Sequence, residues 1–191
     1  MNSIENLLIA PLKSFDRENF SNYLNSLSID ERKKLISGIC SNKFSSIYLK
    51  YIYSAKINDL FNENELSILK NHSGRFQIQN LEIVKEVLHI DKIFKENNLN
   101  PVYLKGVALM NEYEDISLRP LNDIDILFNE DEIFNAFKIL KNNGYKEYRN
   151  IQLSQSELIE YSKEKHHLPE LCRNTNIMIE LHHRVTTAQD F

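Results

Sequence analysis

The sequence predicts an α+β protein: a helical N-terminal part followed by a small mixed β-sheet with flanking helices. Three observations predict it. Apolar residues fall three and four apart through most of the first 98 residues, Asn100-Pro101 interrupts that rhythm, and beyond it come short apolar runs with polar side chains at every second position. The expected division is 1–98, a helical region ending in a long helix, and 99–191, an α/β core.

Composition supports a folded protein. A chain of 191 residues can bury roughly 70% of its unfolded surface on folding. Its hydrophobic fraction of 42% and charged fraction of 26% are those of a globular chain, neither disordered nor membrane-embedded. The net charge is -4 and no block of lysine or arginine is long enough to follow a nucleic-acid backbone, so a small or locally charged substrate fits better. The N-terminus, MNSIENLLIAPLKSF, has no basic region followed by a long apolar run, and no stretch approaches a membrane span; the expected location is the cytoplasm. Cys40 and Cys172 are too few for a disulfide framework and are not spaced as a zinc knuckle.

The elements follow in order. Phe20, Tyr23, Leu24 and Leu27 lie at helical spacing, and Ser28 with Glu31 makes a capping box for a second helix. Phe44 to Ala55 repeats the pattern with Ile47, Tyr48, Tyr51 and Ile52, an aromatic stripe that reads as core packing. From Glu63 to Asn98, Leu66, Leu69, Leu81, Val84, Leu88, Ile93 and Phe94 predict one long helix with its weak point at Ser73-Gly74. His72 and His89 lie on it with no evident partner and read as surface or core histidines. Asn100-Pro101 ends the helix, because proline disfavours helical geometry in the residue before it. Val102 to Lys105 is then a short strand, Gly106 a turn and Val107 to Tyr113 a helix. Glu130 to Asn143 is an amphipathic helix closed by Asn143-Gly144, its leading acids suiting the positive end of the helix dipole. A short helix from Gln155 to Ser162 follows. Leu168 to Cys172 and Ile177 to His183 then flank the turn Asn174-Thr175-Asn176 as a hairpin.

Asp123 and Asp125 lie two apart inside the apolar run Ile124, Ile126, Leu127, Phe128, so a strand projects both from one face. Two carboxylates aimed at one point repel unless a cation, a proton or an arginine stands between them, and the pair invites a divalent ion. The step from strand through Gly106 into a helix offers free amides for a phosphate, which together with the carboxylates points to a metal-bridged phosphate ester. In the last strand Met178, Glu180 and His182 share one face. Paired beside the Asp123 strand, it would make Glu180 the third carboxylate.

The order LKG (Leu104 to Gly106), LRPLNDIDIL (Leu118 to Leu127), HHLP from His166 and IELHHR from Ile179 resembles a family of bacterial nucleotidyltransferase-like proteins in the polymerase-beta nucleotidyltransferase superfamily. The resemblance covers roughly residues 80 to 185. It implies the polymerase-beta-like fold, Mg²⁺ or Mn²⁺ as cofactor, and transfer of a nucleoside monophosphate from an NTP, such as ATP, to an acceptor hydroxyl by a two-metal mechanism. By position it implies Asp123, Asp125 and Glu180 as catalytic metal ligands. Lys105, Gly106 and Arg119 become nucleotide-binding residues, and His182 a hydrogen-bonding support behind the ligands. Two features depart from the superfamily pattern: Val107, not glycine or serine, follows the glycine, and Lys105 precedes it. Arg119 has a competing role as a salt bridge fixing its loop to Asp123. The histidines 166, 167 and 182 with Cys172 match no standard zinc spacing.

The acceptor implied is a small molecule, a protein or an RNA end. Missing parts of its site would come from the N-terminal helices or from a second subunit of a homo-oligomer. The alternative reading is a catalytically inactive nucleotide-binding or regulatory module of the same fold. A third, a toxin-like or tRNA-modifying enzyme, lacks the basic stripe that RNA binding favours.

Overall fold

The computed structural model describes residues 17–148, 153–173 and 177–185. Its first helices follow from their local sequence. α1 (Arg17–Asn25) buries Phe20 and Leu24. α2 (Ile29–Ser41) starts at the expected capping box, with the Ser28 hydroxyl accepting from the Glu31 amide and the Glu31 carboxylate accepting from the Ser28 amide at 2.9 Å. α3 (Ser45–Ser54) sends Tyr48 and Ile52 into the core, as the stripe predicts. α4 (Glu63–Glu96) runs unbroken through Gly74.

By its contacts the chain divides into two compact units, Met1–Ile78 with Asp115–Pro120, and Gln79–Glu114 with Leu121–Phe191. The division falls inside α4, whereas the expected boundary lay at its end. In the first unit Phe20, Ile39, Tyr48, Ile52, Ile57 and Leu69 are fully enclosed. Arg32 grips Glu65 with two nitrogens, at 2.8 and 2.6 Å, and also donates to the Leu60 carbonyl. His72 lines a cavity of about 570 Å³ in this unit, with Ile36, Cys40 and Ile68.

The second unit is built on a mixed sheet of five strands in the order β1-β2-β5-β4-β3. These are β1 (Val102–Tyr103), β2 (Asp123–Leu127), β3 (Lys146–Glu147), β4 (Leu171–Cys172) and β5 (Met178–His182). Only β2 and β5 run parallel; the other pairs are antiparallel. The remaining helices are α5 (Lys105–Ala108), α6 (Ile133–Asn142) and α7 (Gln155–Glu164), the last entered through a second capping box, Ser154 with Glu157. The hairpin joining β4 to β5 forms as predicted, with Leu171 opposite Ile179; its turn, 174–176, lies outside the described residues, as does the N-terminal stretch 1–16.

One face of the central strands makes the core. Ile124 and Ile126 of β2 and Ile179 and Leu181 of β5 are fully buried, in one cluster with Ile83 and Ile90 of α4 and Phe137 and Leu140 of α6. Phe94 meets Phe128 edge to face at 5.0 Å. The stripe that α4 buries includes Leu69, Ile93 and Phe94 as expected but differs from the expected one between them. Ile83, Val87, Ile90 and Phe94 are enclosed, while Leu81 and Leu88 are exposed. Apolar residues stand on both sides of this helix, and the sheet takes the β-branched side. Two further corrections concern the stretch after β1. The strand stops at Tyr103, and the helix expected over Val107 to Tyr113 is instead the short α5 followed by a 3-10 turn at Met110–Glu112. The residue with left-handed backbone is Lys105, at φ 46°, and not Gly106.

Candidate active site

Register builds the site. β2 and β5 pair in parallel with Asp123 opposite Met178, Asp125 opposite Glu180 and Leu127 opposite His182. Paired residues on adjacent strands project to the same side, so the face opposite the isoleucines carries Asp123, Asp125, Glu180 and His182 together. A slip of one residue would turn these groups into the core and the isoleucines outward. Each buried isoleucine is worth about 1.5–3 kcal/mol, so the apolar face fixes the position of the polar one.

The start of β2 is held from α4. Leu121, two residues before Asp123, donates its amide to Asn80 Oδ1 at 2.9 Å, and its carbonyl accepts from Gln79 Nε2 at 2.6 Å. Asn80 is completely buried. Both backbone groups of the residue leading into the strand are thereby satisfied by side chains of one helix. Sequence reading missed this pair, although Asn80 stands three residues before Ile83 on the stripe that α4 buries.

Asp125, 1% exposed, is the centre of the constellation. Lys105 Nζ donates to its Oδ1 at 2.6 Å, and His182 Nε2 lies 2.9 Å from the same oxygen. His182 Nε2 is also 3.3 Å from Glu180 Oε2. Ligand atoms of Asp125, Glu180 and His182 all lie within 4.8 Å of one another. Asp123 stands outside that tight group but senses the charge of both other carboxylates. Of the sequence-derived ligands, Asp125 and Glu180 therefore come together directly, with Asp123 beside them on the same face. Lys105 points at the carboxylates. Gly106 is the second residue of α5. Arg119 closes the 3-10 turn at Ile116–Leu118, in the segment that groups with the first unit.

The electrostatics are those of crowded anions partly compensated. Burial, then the neighbouring Asp125 and Glu180 charges, push the Asp123 carboxyl above its ordinary value. Burial also pushes Asp125 up, but hydrogen bonds from His182 and Lys105 overcome it and hold that carboxyl below its ordinary value. Glu180 is lowered, first by its hydrogen bond with His182. Burial pulls His182 down, yet its bonds to Asp125 and Glu180 leave it raised. Lys105 is raised by Asp125 against the opposing effect of burial. This donor set suits a divalent cation: oxygen ligands of which two stay ionised, a third that is disfavoured as an anion until positive charge arrives, and little water around them.

Three imidazoles border the site. The rings of His166 and His167 lie 5.2 and 5.5 Å from that of His182, and His167 pairs with His182 in an antiparallel bridge. His167 Nδ1 bonds the Leu168 carbonyl at 2.7 Å. Cys172 is on β4 and takes no part in the tight donor group. His89 does have a partner: Arg173 donates to its Nε2 at 2.8 Å and reaches Glu86, which accepts from the Tyr145 hydroxyl at 2.5 Å. That network joins α4 to the sheet within the second unit.

Among the described residues no helix is long and apolar enough to cross a membrane. No curated protein and no solved structure matches the chain. Residues 39–191 match the family described as uncharacterised nucleotidyltransferase, a span that takes in β2, β5 and every polar residue of the site. The chain belongs to that nucleotidyltransferase family.

Proposed function

We propose that the protein transfers a nucleoside monophosphate from an NTP to an acceptor hydroxyl, at a metal centre made by Asp123, Asp125 and Glu180. The observation that carries this reading is the parallel register of Asp125 with Glu180, which sets carboxylates from two strands on one face beside Lys105. Divalent cations held there, Mg²⁺ or Mn²⁺, supply charge neutralisation on the phosphates and activation of the acceptor hydroxyl. The protein's own residues do the rest by position. Asp125 is kept ionised by Lys105 and His182 and so offers its oxygens without first losing a proton. Glu180 stands at the edge of the group and takes the acceptor's proton as the new phosphate ester forms and pyrophosphate leaves. Lys105, cationic and anchored just before α5, moves its ammonium from Asp125 to the departing phosphates once that carboxylate is otherwise neutralised.

Incubation with α-labelled NTPs, Mg²⁺ and small-molecule, protein or RNA acceptors tests the proposal. The expected result is label transfer with stoichiometric pyrophosphate, abolished in Asp125→Ala. Nucleotide binding with no pyrophosphate under any acceptor would support the second reading, a nucleotide-binding module. The feature favouring that reading is the Lys105–Asp125 ion pair, a cation already in place at the central carboxylate.

A further inference from the structure

Resting on the metal-centre reading above, we propose that His182 is itself a ligand, through Nε2, so that a divalent cation is held by two carboxylate oxygens and one imidazole nitrogen and Mn²⁺ is preferred over Mg²⁺. A histidine that merely supports a ligand approaches one carboxylate from behind. His182 Nε2 instead faces two at once, 2.9 Å from Asp125 Oδ1 and 3.3 Å from Glu180 Oε2. Donors bound to one cation at about 2.1 Å stand about 3 Å apart when at right angles. The observed separations match that edge, so the three donor atoms already stand as neighbours in a coordination shell. The group is protected as such a shell requires, with Asp125 and His182 both 1% exposed. Lys105 Nζ and His182 Nε2 both lie within hydrogen-bond distance of Asp125 Oδ1, the oxygen at the centre of the group. Bound through Nε2, the ring would carry its proton on Nδ1, which is buried with no hydrogen-bond partner among the described residues.

The chemistry sets the preference. Mg²⁺ favours an all-oxygen octahedron, whereas Mn²⁺ and the later divalent ions accept imidazole nitrogen. His166 and His167 are close enough that the nitrogen must be assigned rather than assumed.

The test is pulsed electron paramagnetic resonance of Mn²⁺ added to the full chain, with a parallel titration of Mn²⁺ and Mg²⁺ affinity. Directly bonded nitrogen modulates the echo, and labelling the wild type with ¹⁵N-histidine changes the modulation without any substitution. The expected result is a histidine nitrogen signal that persists in His166→Gln and His167→Gln and is lost in His182→Gln. His182→Gln also loses about tenfold or more in Mn²⁺ affinity while Mg²⁺ affinity changes less. Mn²⁺ binding that depends on Asp125 but shows no histidine nitrogen, or nitrogen lost with His167 instead, overturns the assignment and leaves the metal centre standing. Absence of Mn²⁺ binding at millimolar concentration overturns both.

Discussion

Asp123 is where the needs of folding and of chemistry diverge. Its carboxyl is raised by burial and by the charges of Asp125 and Glu180. An acid whose folded value lies above its unfolded one is penalised by folding once ionised. The penalty is absent below the unfolded value, grows as pH rises through the interval, and is complete above the folded value. Asp123→Asn should therefore stabilise the metal-free protein at pH 7. A gain on the order of 1 kcal/mol corresponds to about 2–4 °C in Tm for a chain of this length. The gain should vanish below about pH 4, where the native aspartate is neutral in both states. The same variant should bind divalent cations more weakly, the trade of stability against function common at such sites. Thermal melts of both proteins from pH 3 to 8 check this, and an equal or lower Tm for Asp123→Asn at pH 7 would contradict it. Residue types were the most legible part of the site. An aspartate pair two apart is by itself common in an acidic chain; the apolar run around Asp123 and Asp125, the alternating strand around Glu180 and the resemblance together single these residues out. Lys105 was less legible, because its left-handed backbone, which aims the ammonium at Asp125, leaves no mark in a sequence where the adjacent Gly106 claims that conformation.

At the scale of elements, what could not be read was who lies beside whom. Alternation in β5 shows which residues share a face, but the parallel pairing of β2 with β5 joins strands about fifty residues apart through α6, β3, α7 and β4. No local period encodes that. The resemblance supplied it as an expectation, and the register Asp125 to Glu180 is the structural counterpart. In α4 the failure was of the opposite kind: the period was right and Leu69, Ile93 and Phe94 are buried as expected, but in the middle Ile83, Val87 and Ile90 turn inward while Leu81 and Leu88 turn outward. Asn80 belongs to the inward stripe and holds the amide of Leu121. Asn80→Ala should lose about 1–3 kcal/mol, because a buried donor is left without its partner. Leu88→Ala, on the exposed side, should change stability by less than about 0.5 kcal/mol beyond its helix propensity. Urea unfolding of the two variants measures both, and equal losses would contradict the assignment of faces.

At the scale of the whole molecule, the family match begins at residue 39, inside α2, and therefore draws on residues of both compact units. With a net charge of -4, the chain has no general attraction for a polyanion. On the proposed reading, binding of a nucleoside triphosphate comes from local charge: metal at the carboxylates and the ammonium of Lys105 beside them. The most direct test is calorimetric titration of an NTP in the presence of Mg²⁺ into the wild type and into Asp123→Ala/Asp125→Ala, with label transfer measured on the same samples. The account predicts metal-dependent binding and transfer in the wild type and neither in the double variant. Binding that is unchanged in the double variant, or absent from the wild type at millimolar NTP, would contradict it.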